Sequence, residues 1–135
     1  METLGLNINK DIQEYNNKLE ALDKEICELL GKIISENLKD SESKVWHAHP
    51  VWFLKSNPIA GYSKQKAGIR LMFWSGKGFD EEKLRPGTGR FKDASVWYTD
   101  VRQVIKDDLH RWLRKAGLYS GITRILSKER VYLKD

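Results

Sequence analysis

Two histidines, His47 and His49, stand two residues apart in a run of aromatic and β-branched residues. On an extended strand that spacing puts both imidazoles on one face, where they can share a metal ion, since imidazole nitrogen suits iron, zinc and copper. No third ligand is evident from the spacing, and such a pair is more often simply part of the polar face of an open sheet. His110 falls in a separate helical segment, with nothing in the sequence to bring it near them. Cys27 is the single cysteine and sits beside the apolar position Ile26 in a helical pattern, which makes it a packing residue. Ser63 and Ser75 have no identifiable base. Nucleophilic catalysis lacks its parts here, so the chain reads as a binding protein rather than an enzyme.

A second chemistry is written in aromatic residues interleaved with bases: Trp46, Trp52, Tyr62, Arg70, Trp74 and Trp97. On an open sheet face such residues stack on planar ligands or nucleobases while arginine and lysine meet phosphate. With His47 and His49 they form the candidate ligand-binding set. Large aromatics mostly serve as core, so at least half of them are expected between sheet and helices.

The elements that must position these residues follow from hydrophobic periodicity. Ile12, Tyr15, Leu19, Leu22, Ile26, Leu29 and Ile33 recur every three or four residues, the stripe of an amphipathic helix over about 9–38. Asn7 or Asn9 caps its start and Asp11 suits the positive end of its dipole; Asp23 can cap a second helix if the segment breaks near Ala21. A sheet over about 44–99 follows. Val45 to His49 begin a strand, with Val45, His47 and His49 on one face. Pro50 interrupts it at an edge or bend, and Val51 to Leu54 resume it. Ser56, Asn57 and Pro58 read as a turn, Ile59 to Ser63 as a strand, and Lys64 to Gly68 as a turn. Ile69 to Trp74 form a third strand whose Ile69, Leu71 and Phe73 face the core. Ser75 to Asp93 read as a long glycine-rich loop with one helical turn near Asp80 to Leu84, and Ser95 to Thr99 as a fourth strand. Neither GxGxxG nor GxxxxGK[ST] occurs in the loop, so a nucleotide-phosphate fingerprint is missing. Asp100 or Asp107 caps a second helix over about 101–116 with the stripe Ile105, Leu109, Trp112, Leu113 and Ala116, and Gly117 ends it. A basic tail spans 118–135. The order predicts one α+β domain over residues 1–135: an antiparallel sheet of about four strands, with N- and C-terminal helices packed on one face and the other face partly open.

With 40% hydrophobic and 32% charged residues the chain is globular, and no apolar run is long enough to cross a bilayer. A lone cysteine and an N-terminus without a secretory pattern fit a cytosolic protein with no membrane partner. The charge is uneven. Residues 1–40 carry nine acids against five bases, and residues 41–135 ten acids against nineteen bases. The basic half can attract nucleic acid or another anion, although no arginine-rich run accompanies it.

The stretch from Trp46 to Trp74 resembles the central motif of the YdhG-like family of small bacterial domains. The resemblance rests on Trp46 followed by Pro50 and an aromatic residue, on Gly61, Tyr62 and Ser63, and on the apolar strand through Phe73 and Trp74. It runs from the first helix to Ala116, and its motifs are structural residues. Some members are described as frataxin-like iron chaperones, so the resemblance implies weak iron binding and delivery to iron–sulfur or haem assembly proteins. The acids it places on the first helix are Asp11, Glu14, Glu20, Asp23, Glu25 and Glu28, oxygen ligands of the kind hard iron takes. Lys10, Lys18, Lys24 and Lys32 share that helix and depart from the acidic pattern.

Overall fold

In a computed structural model the chain is described over residues 9–89 and 92–128, with side chains as far as Tyr119. Asn7 and residues 129–135 of the basic tail lie outside the described residues. The elements are α1 (Lys10–Asn17), α2 (Ala21–Asn37), β1 (Glu42–Trp46), β2 (His49–Leu54), β3 (Asn57–Gln65), β4 (Gly68–Phe73), β5 (Arg85–Pro86), β6 (Ala94–Tyr98) and α3 (Lys106–Lys128). Short 3-10 turns occupy Gly76–Phe79 and Val101–Gln103.

The α+β class holds, but among the described residues the sheet has six antiparallel strands rather than four, in the order β1-β2-β3-β4-β6-β5. The extra strands arise where the sequence predicts one long strand and a loop. His47 and Ala48 both take positive φ, 52° and 74°, and fold the predicted first strand into the β1–β2 hairpin. Lys55 and Ser56, at 50° and 72°, do the same between β2 and β3. Left-handed conformation at both central residues matches the twist of the flanking strands. Pro50 therefore lies within β2, opposite Val45, and not at an edge. Close approach fixes Gly61 beside it, since a Cβ there would lie 2.6 Å from the Pro50 carbonyl oxygen.

Registry decides the faces, because directly opposed residues point the same way. Ala60, Tyr62, Ile69, Leu71, Phe73, Ala94 and Tyr98 share the helix-covered face and are all buried. Against them pack Ile12 of α1, Ile26, Leu30 and Ile34 of α2, and Leu109, Trp112 and Leu113 of α3. Two buried polar bonds tie helices to sheet: Trp52 Nε1 donates to Ser35 Oγ at 3.1 Å and Tyr62 Oη donates to Asn16 Oδ1 at 2.7 Å. Each satisfies a group whose burial alone would cost about 1–3 kcal/mol.

The predicted first helix is two helices, with the break beside Ala21 that the sequence leaves open, but Glu20 and not Asp23 stands at the N-cap of the second. Unbroken over residues 10–37 it would run about 42 Å at 1.5 Å per residue, whereas six strands span only about 24 Å. The chain turns at Glu20, whose extended backbone (φ −67°, ψ 159°) leaves its carbonyl to accept from Lys24 N at 2.8 Å. Asn9 caps α1 by accepting from Ile12 N at 2.9 Å. The break throws Leu22 out of the stripe, 71% exposed. At the other end α3 continues through Gly117 to Lys128, and Ile105 lies outside the core at 44% exposure. Tyr119 holds the helix beyond Gly117, with its ring 5.4 Å from Phe79 and its hydroxyl donating to the Gly78 carbonyl.

The 75–93 segment is fastened to α3. Its helical turn falls at Gly76–Phe79, earlier than predicted, and puts Phe79 into the core against Phe73. Glu81, with only 9% of its side chain exposed, accepts two bonds of 2.8 Å from Arg111 and one of 2.6 Å from Lys115. These contacts fix where Lys83 and Arg85 stand beside the open face.

Candidate functional site on the open sheet face

The face turned away from the helices carries Trp46, His49, Gly61, Ser63, Arg70, Met72, Ser95 and Trp97, again by registry. Trp74 continues it two residues beyond Met72. Two aromatic groups stand on it. At the β1 end the Trp46 ring meets Phe53 at 5.4 Å and Trp74 at 6.3 Å, with Lys44 Nζ 4.9 Å from the Phe53 centroid. At the β6 end the Trp97 indole lies 5.9 Å from the Arg70 guanidinium and 5.8 Å from that of Arg85. Its Nε1 donates to Gln65 Oε1 at 3.1 Å. The indole is thus oriented by its neighbours, with cations attracted to its electron-rich ring.

Arg70 is set by its own network. Nε donates to Ser95 Oγ at 2.8 Å, and Nη2 contacts Met72 Sδ at 3.0 Å and Asp93 Oδ2 at 3.4 Å. Beside Trp97 lies a depression of about 530 Å³ lined by Gln65, Lys66, Lys83, Arg85, Ser95 and Trp97. No acid belongs to its lining among the described residues. Lys83 shares its charge with Asp108 at 2.6 Å. A second depression of about 330 Å³ includes His49, Ser63, Arg70, Met72 and Trp74, and a smaller apolar one joins Met72 and Trp74 to Lys92 and Asp93. Gln65 is common to the first two; Met72 and Trp74 are common to the last two. Burial pulls the His49 imidazole below its ordinary range, opposed by a hydrogen bond to the backbone at Pro50, with the charges of Arg70 and His47 lowering it further.

Of the candidate ligand-binding residues, the structure brings together Trp46, His49, Arg70, Trp74 and Trp97 on this face. Trp52 and Tyr62, each 1% exposed, belong to the helix-side core instead. His47 stands in the hairpin turn with its ring 4.2 Å from Trp46. The shared-face argument for His47 and His49 fails because a turn, not a continuous strand, separates them. Sequence reasoning missed Lys66, Lys83 and Arg85, which come from a hairpin tip and from the loop. Only the basic excess of residues 41–135 pointed toward them.

The acids of α1 and α2 are not gathered into one site. Asp11, Glu14, Glu20 and Glu25 are exposed; Asp23 pairs with Lys64 at 2.9 Å; Glu28 pairs with Lys24 at 3.5 Å and accepts from Gln13 at 3.0 Å. Among the described residues no group of three or more His, Cys, Asp or Glu is placed to hold a metal ion. His110 is far from the sheet histidines in role, its Nδ1 lying 2.6 Å from Asn37 Oδ1. Cys27 is fully buried, and burial, then the carboxylates of Asp23 and Glu28, push its thiol up to about 12, which makes it an inert packing group. No helix among the described residues is long and apolar enough to cross a membrane. Comparison of the chain with protein-family models, with curated proteins and with solved structures finds no match.

Proposed function

We propose that the protein is a non-enzymatic binding module that takes an anionic ligand on its open sheet face, in the depression beside Trp97. One observation carries the reading: Lys66, Lys83 and Arg85 converge on a depression of about 530 Å³ without an acid in its lining, against an indole flanked by two guanidinium groups. Lys66 and Arg85 form no ion pair among the described residues, so their charge is available to a ligand. Arginine supplies a planar fork for phosphate or carboxylate, and the lysines supply point charges.

Iron delivery, the activity implied by the resemblance to the YdhG-like family, would draw on Glu14, Glu20, Asp23 and Glu28 instead. Replacing those four by neutral amides separates the two readings, since it removes iron binding in that scheme and leaves the sheet-face site intact. The direct test is calorimetric titration with inorganic pyrophosphate, comparing the wild-type protein with the Lys66→Ala/Arg85→Ala variant. The expected result is saturable binding that weakens at least about tenfold in the variant, or about 1.4 kcal/mol. Absence of binding to the wild type, or equal binding to both, would overturn the reading.

A further inference from the structure

Building on that anion site, we infer that the natural ligand of this face is single-stranded nucleic acid. The Trp97 depression is the first of three neighbouring depressions that share wall residues along the face. Gln65 links it to the depression at His49 and Arg70, and Met72 with Trp74 links that one to Lys92. Arg70, Met72 and Trp74 alternate along β4 and its extension on one face. The Trp97 platform, opposite Arg70, is therefore about 14 Å from Trp74 by strand rise. A single planar ligand cannot bridge that separation, whereas a few nucleotides of extended strand can.

Charge along this row of depressions fits a polyanion. Among the described residues Lys66, Arg70, Lys83, Arg85 and Lys92 line it, against one acid, Asp93, which is held by Arg70 at 3.4 Å. Lys83 is turned partly toward Asp108, leaving Lys66, Arg85 and Lys92 as exposed phosphate contacts. Half-buried aromatic rings separated by cations along a groove are what sequence-tolerant single-strand binding requires, with base stacking between backbone contacts. A duplex presents no free base face to Trp97 or Trp74, so the same groove discriminates against it.

The test is fluorescence anisotropy with an end-labelled ten-nucleotide oligothymidylate, a matching oligouridylate and a duplex of equal length, at several salt concentrations. Saturable binding of one or both single strands is expected, at least about tenfold tighter than the duplex, with affinity falling as salt rises. Lys66→Ala and Lys92→Ala, at opposite ends and both exposed, should each weaken it several-fold without changing the circular dichroism spectrum. Equal affinity for the duplex would overturn the inference, leaving simple polyanion attraction. Pyrophosphate binding without any oligonucleotide binding would overturn it while preserving the anion site. Failure of both would remove both.

Discussion

Arg70 and Trp97 are cross-strand partners on β4 and β6, and the guanidinium of one lies 5.9 Å from the indole centroid of the other. The same guanidinium donates to Ser95 and meets Asp93, so a single side chain orders the middle of the open face. Lysine keeps the charge but not the planar fork that makes these contacts together. Arg70→Lys should therefore weaken pyrophosphate binding roughly tenfold, about 1.4 kcal/mol, although net charge is unchanged. Calorimetry checks it; an unaltered affinity would show that charge alone matters there.

Tyr62 should be a stability residue and not a ligand contact. Its hydroxyl is the partner of Asn16 Oδ1, while Asn16 Nδ2 is buried with no hydrogen-bond partner among the described residues. Tyr62→Phe would leave that carboxamide wholly unpaired in the core, a loss of about 1–3 kcal/mol. Urea denaturation should show a lowered midpoint with unchanged slope, and pyrophosphate affinity should stay at the wild-type value. A variant as stable as wild type would contradict the packing account.

How much of this was legible beforehand depends on the local signal. Ile69, Leu71 and Phe73 alternate strictly, and all three are fully buried on the predicted face. Both β1–β2 and β2–β3 turns were hidden because their left-handed positions hold His47–Ala48 and Lys55–Ser56 instead of the asparagine and glycine that announce such turns. The break at Glu20 falls beside the Ala21 position where the sequence leaves room for a second helix, whereas tertiary packing, which sequence periodicity does not see, carries α3 past Gly117. Of the residues on the open face, Arg70, Trp74 and Trp97 are singled out by residue type alone. Lys66 and Arg85 meet Trp97 only after the hairpin and loop have folded, so no local pattern marks them.

The 75–93 segment depends on an ion pair with a definite pH signature. The Arg111 guanidinium, then the Lys115 ammonium, hold the Glu81 carboxyl well below the usual carboxylate range. A depressed folded-state pKa gives stability that is present above the ordinary value of 4.5 and lost as pH falls through the folded value. Glu81→Gln should lower stability at pH 7 by about 2 kcal/mol, since it breaks a mostly buried charge-assisted pair. It should also flatten the acid limb of the stability curve below pH 4.5. A variant with the wild-type acid limb would show that Glu81 is not the group responsible.

At alkaline pH the sign reverses. The Cys27 thiol is raised from 9.0 to about 12, chiefly by burial, and burial raises the Tyr62 and Tyr98 hydroxyls above 10.0 as well. The native state then holds protons that the unfolded chain has released. Each contribution is complete below the ordinary pKa and is lost as pH rises through the folded value, at up to about 1.4 kcal/mol per pH unit per group. Stability should fall from about pH 9 upward, and Cys27→Ala should make the fall shallower between 9 and 12. An unchanged slope would place the titrating group elsewhere.

The central claim is that ligand binds beside Trp97 and not in the helix-side core. Tryptophan side-chain amide NMR tests it most directly, because Trp97 Nε1 and the buried Trp52 and Trp112 report from opposite faces of the sheet. Titration with pyrophosphate should shift the Trp97 indole signal progressively to saturation and leave those of Trp52 and Trp112 in place. A Trp97 signal that does not move while the protein binds the ligand would contradict the account.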